Sequence, residues 1–258
     1  MYRAILKATF YSIERNSSQE KVLGEYIRTV SQYNPKVIFL NSSRSLNSLT
    51  LLHNKRGFFA KNSSHTFLVT TGHFNYVFNV SKSKKKFSTI HTTRPRLIGK
   101  LVFFSEYPHD IALIDIKRMS KHIRPSSGVF FKNSPNNLEL FINNNGTPVS
   151  THGAHLCKAG FRTSVTCGYT ESFNGFYMFT NSRFLEDMIF VNNMETLHGD
   201  SGGPLFAFTD TNSVTINGIL SGTIKDRSPV SPFSYIIPLD IILNDINLEL
   251  DTDPIVHA

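Results

Sequence analysis

Short apolar runs of four to eight residues, separated by clusters of Asn, Gly, Ser and Pro, dominate the hydrophobic pattern of the chain. Runs of this length, rich in β-branched and aromatic residues and bounded by turn formers, are typical of β-strands. The clearest runs are Phe67–Thr70, Leu97–Phe104, Ile111–Ile116, Phe176–Thr180, Met188–Val191, Leu205–Phe208 and Ile216–Leu220. No period along the chain indicates internal repeats. The pattern therefore predicts an all-β protein.

The N-terminal stretch shows a different pattern. The segment Ser17–Glu20 has the form of a capping box, and apolar residues then recur with helical spacing at Val22, Leu23, Tyr26, Ile27 and Val30. We predict an amphipathic helix from about residue 18 to 32, within an N-terminal extension of residues 1–42. Such an extension would serve as a propeptide, a partner-binding element or an inhibitory segment, or would simply pack on the following domain.

The C-terminal part of the chain contains a second helical segment. Residues Leu239–Leu248 follow Pro238 and are predicted to form a helix.

The region Lys117–Phe131 contains the turn-rich stretch Arg124–Gly128, which marks a junction between two halves at about 43–120 and 121–258. A chain of 258 residues is long enough for one folded unit of two such halves with a sizeable core.

Composition and charge narrow the class of protein. Hydrophobic residues make up 40% of the chain and charged residues only 18%, which favours a globular protein over a disordered one. No apolar stretch approaches the roughly 18 residues of a membrane span, and neither a cofactor nor a metal motif is present, so we expect no cofactor. The abundance of Asn, Lys, Ile and Phe is typical of an AT-rich genome, such as that of a virus or an intracellular microbe.

The formal net charge of +8 would draw the protein toward anionic surfaces. Lys82, Lys84, Lys85 and Lys86 form the densest basic run. A solvated loop is the simplest interpretation of this run, and a site for nucleic acid or another polyanion is the alternative.

Candidate chemistry lies first in the segment Gly199–Pro204, with the sequence Gly-Asp-Ser-Gly-Gly-Pro, which runs directly into the apolar stretch Leu205–Phe208. A serine between glycines at a sharp turn can project its hydroxyl into a cleft, while small neighbours let backbone N–H groups converge on a developing oxyanion. Ser201 is therefore a candidate nucleophile. A serine hydroxyl alone is unreactive, so a base and an orienting acid are needed elsewhere in the chain.

His73 and Asp110 are the candidates for these two roles. His73 ends a β-branched and aromatic run, which places an imidazole at the end of a strand. Asp110 opens an apolar run, where a partly buried carboxylate would need a partner. Each residue alone is weak evidence, because a lone His or an Asp before a strand usually has an ordinary structural role.

Together, Thr70–His73, Asp110–Ile114 and Gly199–Pro204 resemble the three signature segments of trypsin/chymotrypsin-like serine peptidases, in the order His, Asp, Ser. Further matches run from about residue 45 to about residue 245. The resemblance implies two six-stranded antiparallel β-barrels and a C-terminal helix. It also implies a catalytic triad, with the N–H groups of Gly199 and Ser201 as the oxyanion hole.

The segment Cys157–Gly168 is similar to the cysteine loop of the bacterial, streptogrisin-like branch of this family. The histidine-loop cysteine of animal trypsins is absent, because Phe74 follows His73. The resemblance implies a disulfide between Cys157 and Cys167, and hence an oxidising, secreted or extracellular setting, although the N-terminus is a poor signal peptide.

Lys158 occupies the position where the bacterial branch carries a basic residue. The resemblance implies that this lysine pairs with Asp200, so that no new terminal amine is needed to hold the oxyanion loop active. A solvated loop lysine is the alternative.

The resemblance also suggests which residues contact substrate. Ser221 resembles the family's serine that hydrogen-bonds the catalytic Asp, next to Gly222 on the substrate-pairing strand, although a strand-end serine is an equally good interpretation. Glu195 falls at the base of the primary pocket and would select Lys or Arg. Thr196 and Thr223 match its walls and, with Leu220 in place of a histidine, would instead favour a polar uncharged side chain such as Gln.

The sequence thus predicts a monomeric serine endopeptidase that acts on peptide or protein substrates. The alternative is a non-catalytic or regulated binding protein that uses the basic surface of a peptidase scaffold.

Overall fold

The computed structural model describes residues 57–73, 86–88, 96–122, 125, 128–130, 139–143, 145–178, 183–224, 233–245 and 247–250. Strands dominate these residues. They are β1 (Phe58–Lys61), β2 (Thr66–Thr70), β3 (Lys86–Ser88), β4 (Leu97–Ser105), β5 (Ile111–Asp115), β6 (Val129–Phe130), β7 (Glu139–Ile142), β8 (His155–Gly160), β9 (Ser164–Met178), β10 (Phe184–Asn192), β11 (Pro204–Asp210), β12 (Ser213–Ile224), β13 (Phe233–Pro238) and β14 (Glu249–Leu250).

The first sheet contains six strands in the order β14-β1-β2-β5-β4-β3. Its centre is the antiparallel pair β2 and β5, in which Val69 lies opposite Leu113. The C-terminal strand β14 returns to this sheet and pairs with β1, with Leu250 opposite Ala60. One strand from the C-terminal half of the chain therefore belongs to the sheet formed by the N-terminal half.

The second sheet runs in the order β11-β8-β9-β10-β13-β12, with β7 and β6 attached beyond β12. An additional pairing between β11 and β12 closes the first six of these strands into a ring. Among the described residues, the fold is thus a six-stranded sheet and a closed six-stranded barrel. It confirms the predicted chymotrypsin-like double β-barrel.

Each predicted strand overlaps an observed one, and several observed strands are longer than the sequence indicated. Residues Met188–Val191, for example, lie inside the nine-residue strand β10. Residues 179 and 180 of the predicted strand Phe176–Thr180 lie outside the described residues. The predicted C-terminal helix is present as α1 (Leu239–Asp245) and ends earlier than expected. The predicted helix at 18–32, and all of the basic lysine run except Lys86, lie outside the described residues.

One apolar cluster joins the two halves of the molecule. Val69 and Leu113 of the first sheet belong to the same buried cluster as Phe206, Ile216 and Ile237 of the second. Each Å² of apolar surface removed from water contributes roughly 25 cal/mol to stability. Burial of this shared core therefore holds one sheet against the other. In the part of the chain that the structure describes, no helix is long and apolar enough to cross a membrane.

Candidate active site

The first part of the site lies where β2 ends and β5 begins. His73 follows β2, and Gly72 before it passes so close to the neighbouring chain that a Cβ would lie 1.8 Å from the carbonyl oxygen of Ser105. Only a glycine fits there, which explains why a Gly precedes the histidine. Asp110 directly precedes β5, and only 2% of its surface is exposed.

The histidine and the aspartate make two contacts. His73 Nδ1 lies 2.6 Å from Asp110 Oδ2, and the His73 backbone N–H donates to Asp110 Oδ1 at 2.7 Å. The Ser221 hydroxyl donates a third hydrogen bond, to Asp110 Oδ2. Burial opposes ionisation of Asp110, but the charge and hydrogen bonds of His73, with that of Ser221, outweigh it and lower the pKa of Asp110.

These contacts fix the orientation of the imidazole. With Nδ1 directed at a carboxylate, Nε2 is left on the opposite side of the ring, and 37% of the His73 side chain is exposed, against 4% for Asp110. An imidazole held in this way can exchange a proton with a group in the cleft.

The loop that carries Ser201 is shaped by its glycines. Gly199 and Gly202 have φ angles of 108° and 85°, in the region that favours glycine. The N–H of Gly202 donates to the carbonyl of Leu220 at 2.7 Å. A Cβ on Gly202 would lie 2.2 Å from Oγ1 of Thr70, so this loop packs directly against the end of the strand that leads to His73.

Two backbone donors in this loop have no partner within the described ranges. They are the N–H groups of Gly199 and Ser201, the pair expected to form the oxyanion hole. The Ser201 hydroxyl likewise makes no hydrogen bond to a described residue, so a bond to His73 is the one link of the expected triad that is absent. Catalytic hydrogen bonds commonly tighten only when substrate binds.

Asp200 lies beneath the loop and is almost entirely surrounded by donors. The N–H groups of Arg162 and Thr163 donate to Oδ1 at 2.6 and 3.2 Å. The N–H of Leu197 and the hydroxyl of Thr163 donate to Oδ2 at 3.0 and 2.7 Å. Lys158 Nζ lies 3.4 Å from the same oxygen, and neither charged side chain is exposed.

The electrostatics of this pair follow from its burial. Burial alone would raise the pKa of Asp200, but the N–H of Leu197, the charge of Lys158 and the other donors lower it. Burial lowers the pKa of Lys158 despite the opposing charge of Asp200. Lys158 also bonds the Thr163 hydroxyl, so Thr163 bridges the two charges.

The strand register explains how Lys158 reaches this place. Lys158 lies on β8 opposite Leu205 of β11, the strand that begins just after Ser201. Cys157 and Cys167 lie opposite each other on β8 and β9 and form the predicted disulfide, which is confirmed. The disulfide and the strand pairing together hold the lysine under the loop.

The expected pocket residues lie in different environments. Glu195 is exposed, and its backbone carbonyl accepts a hydrogen bond from Thr166 at 2.7 Å. Thr196 is buried, and its hydroxyl lies 2.9 Å from that of Ser234. The Thr223 hydroxyl donates to the carbonyl of Phe233 at 3.0 Å. Glu195 as the selector of basic residues stays a prediction.

Gly222, also expected to contact substrate, packs against Tyr235. A Cβ there would lie 2.3 Å from the Tyr235 hydroxyl, so the absence of a side chain makes room for the tyrosine. Sequence reasoning missed Thr163 and Ser234. Their partners are distant in sequence, at separations of 37 residues from Asp200 and 38 from Thr196, and no local motif indicates such pairs.

Comparison with known proteins places the fold. No protein-family model and no curated protein sequence matches the chain. Among solved structures, a glutamic acid specific serine protease is 18% identical, with a TM-score of 0.59, covering 76% of this chain and 92% of its own. Thermobifida fusca protease A is 20% identical, with a TM-score of 0.53 and coverage of 77% and 91%. Nocardiopsis protease is 19% identical, with a TM-score of 0.55 and coverage of 76% and 90%.

These neighbours are bacterial serine proteases of the trypsin/chymotrypsin type. The fold implied by the sequence resemblance is therefore confirmed.

Proposed function

We propose that the protein is a serine endopeptidase that hydrolyses peptide bonds through His73, Asp110 and Ser201. The observation that carries the proposal is the two-point contact between His73 and the buried Asp110. The nearby serine loop has two N–H groups with no hydrogen-bond partner among the described residues. The fold, shared with serine proteases, supports it.

The reaction follows from the roles these groups can take. His73 Nε2 accepts the proton of the Ser201 hydroxyl as its oxygen attacks the carbonyl carbon, and the carbonyl oxygen becomes an oxyanion. Asp110 stabilises the resulting imidazolium. The protonated His73 then gives its proton to the leaving amine, which departs and leaves an acyl-enzyme. Water, activated by the same imidazole, attacks this ester, and its cleavage returns the proton to Ser201.

The N–H groups of Gly199 and Ser201 would stabilise the oxyanion in both tetrahedral intermediates. Loss of one such donor typically costs about 3 kcal/mol of transition-state stabilisation. We assign Lys158 and Asp200 the structural role of holding the loop so that these two donors converge. The ion pair at 3.4 Å and the six further hydrogen bonds around the pair support this role.

The residues expected to line the primary pocket lead to two alternative preferences for the substrate side chain. An acid at Glu195 would select Lys or Arg, whereas the hydroxyls of Thr196 and Thr223 would favour a polar uncharged side chain such as Gln. The Cys157–Cys167 disulfide supports action in an oxidising, extracellular setting, on peptide or protein substrates.

Digestion of a mixed peptide library by the purified full-length chain tests the proposal. We expect cleavage products by mass spectrometry from the wild type, none from Ser201→Ala, and unchanged cleavage from Ser64→Ala, a matched exposed serine. Cleavage after Lys or Arg would support the Glu195 assignment, and cleavage after Gln would support the threonine hydroxyls.

Equal cleavage by the wild type and Ser201→Ala would contradict the proposal. An absence of cleavage, combined with retention on heparin that falls steeply with salt, would instead favour a binding protein with a basic surface.

A further inference from the structure

A histidine and two carboxylates meet at the contact between the two sheets, outside the groups used by the proposed mechanism. His109 Nε2 lies 3.8 Å from Asp187 Oδ2. One ligand atom from each of His109, Glu186 and Asp187 lies within 4.8 Å of the other two. The side chain of His109 is 14% exposed and that of Asp187 is 48% exposed, so the group can be reached from solvent.

The backbone brings these residues together from distant parts of the chain. His109 lies in the connection between β4 and β5. Glu186 and Asp187 lie on β10 within an irregular stretch where its register with β9 shifts, and Asp187 has a φ of 54°. The N–H of Glu186 lies 3.4 Å from the carbonyl of Pro108 and joins the two segments.

We propose that His109, Glu186 and Asp187 bind a divalent cation of the zinc class. An imidazole nitrogen with two carboxylates is a donor set that suits zinc and similar transition metals, whereas calcium and magnesium prefer oxygen ligands alone. Since each zinc bond is about 2.0–2.2 Å, two ligands on one ion lie at most about 4.4 Å apart. The present separations therefore need only small side-chain rotations to close around an ion, with water completing its coordination.

The charges at this place favour a cation. Glu186 and Asp187 are adjacent in sequence, and each offers a carboxylate oxygen within 4.8 Å of a His109 ring nitrogen. A bound divalent cation would offset the charge of the two carboxylates.

The position of the site gives it a consequence for the rest of the molecule. His109 directly precedes Asp110, the buried carboxylate that orients His73. A cation held by His109 and β10 would tie the segment that carries Asp110 to the second barrel. The structure thus assigns the metal a stabilising role at this contact, separate from the proton transfers at His73.

Equilibrium dialysis of Zn²⁺ against the full-length chain, with Ser201→Ala as the background to prevent self-digestion and without reductant, tests the proposal. We expect about one equivalent of Zn²⁺ per chain. Asp187→Asn, Glu186→Gln and His109→Ala should each weaken binding by at least about tenfold, since each removes one of three ligands. Asparagine tolerates a positive φ, so Asp187→Asn removes the charge and keeps the backbone conformation.

His65→Ala is the matched control. His65 Nε2 also lies 3.8 Å from a carboxylate oxygen, that of Asp115, but it is not part of a group of three ligands among the described residues. Zinc binding should be unchanged in this variant. Zn²⁺ should also raise the melting temperature of the background protein and not of Asp187→Asn, since only the folded site binds.

Three results would overturn the proposal. The first is no Zn²⁺ binding by the background protein. The second is binding by the three ligand variants as tight as that of the background protein. The third is loss of binding in His65→Ala or in His73→Ala. Ca²⁺ binding as tight as that of Zn²⁺ would overturn the assignment of cation class.

Discussion

Two buried carboxylates of the candidate site, Asp110 and Asp200, are neutralised in different ways. Asp110 faces an imidazole that is 37% exposed and lies 2.6 Å away. Asp200 faces an ammonium group that is 0% exposed and lies 3.4 Å away, within a shell of backbone N–H donors. Both carboxylates have a lowered pKa.

The pair of Asp110 and His73 can therefore take part in proton transfer, whereas the pair of Asp200 and Lys158 can only stabilise the structure of the loop. The His73 imidazole is partly exposed and can accept and return a proton. Lys158 has no exposed edge, so its charge stabilises Asp200 and cannot reach a substrate. Variants at the two carboxylates and their partners distinguish these two roles.

Asp110→Asn should have the largest effect on activity. An asparagine cannot hold the imidazole in the same tautomer or stabilise its protonated form, so we expect kcat to fall by about 10⁴-fold. Circular dichroism should show the wild-type fold, while loss of the ionised carboxylate should lower the free energy of unfolding at neutral pH. A variant with kcat within tenfold of the wild type would contradict the role given to Asp110.

Lys158→Met should affect stability and activity together. Removing one partner of a buried ion pair leaves the other charge uncompensated, at a cost of about 3–5 kcal/mol in the free energy of unfolding. We also expect severe loss of peptidase activity, because the loop loses its support.

Adding Asp200→Asn to Lys158→Met provides the control. The double variant should recover part of the lost stability in urea denaturation, because no buried charge then remains. A Lys158→Met protein with wild-type stability and full activity would refute the structural role of the pair.

Acid should destabilise the protein through both carboxylates. Their pKa values in the folded state lie below the unfolded value of 3.8, so the unfolded chain takes up protons first as the pH falls. The stabilisation is therefore complete well above pH 3.8 and is lost as the pH falls through 3.8 toward the folded-state values.

Urea denaturation at a series of pH values measures this loss. The Lys158→Met/Asp200→Asn variant should show a shallower decline, since one of the two carboxylates is gone. An identical decline in both proteins would show that Asp200 does not contribute.

The smallest effects are expected from removing one hydroxyl from each site. Ser221→Ala and Thr163→Val each remove a hydrogen bond to a buried carboxylate, which typically contributes about 1.5–3 kcal/mol. For Ser221→Ala, we expect the free energy of activation to change more than the free energy of unfolding. For Thr163→Val, we expect the free energy of unfolding to change more than the free energy of activation. If the two free energies changed equally in both variants, the distinction between the two sites would be lost.

Sequence reasoning predicted the parts of the site that local motifs encode. His73, Asp110 and Ser201 each stand at a strand end or turn whose residue types are distinctive, and the alternation of apolar runs predicted the strands. Thr163, Ser234 and the group around His109 were not predicted, because their partners are set by strand register and by the packing of one sheet on the other. The return of β14 to the first sheet is a long-range pairing of the same kind.

The most direct test of the central claim is covalent labelling of the full-length chain by a fluorophosphonate, which reacts only with an activated serine. We predict labelling of the wild type at Ser201, and its loss in both Ser201→Ala and His73→Ala. Absence of labelling in the wild type, or labelling that persists in His73→Ala at the wild-type rate, would contradict the account.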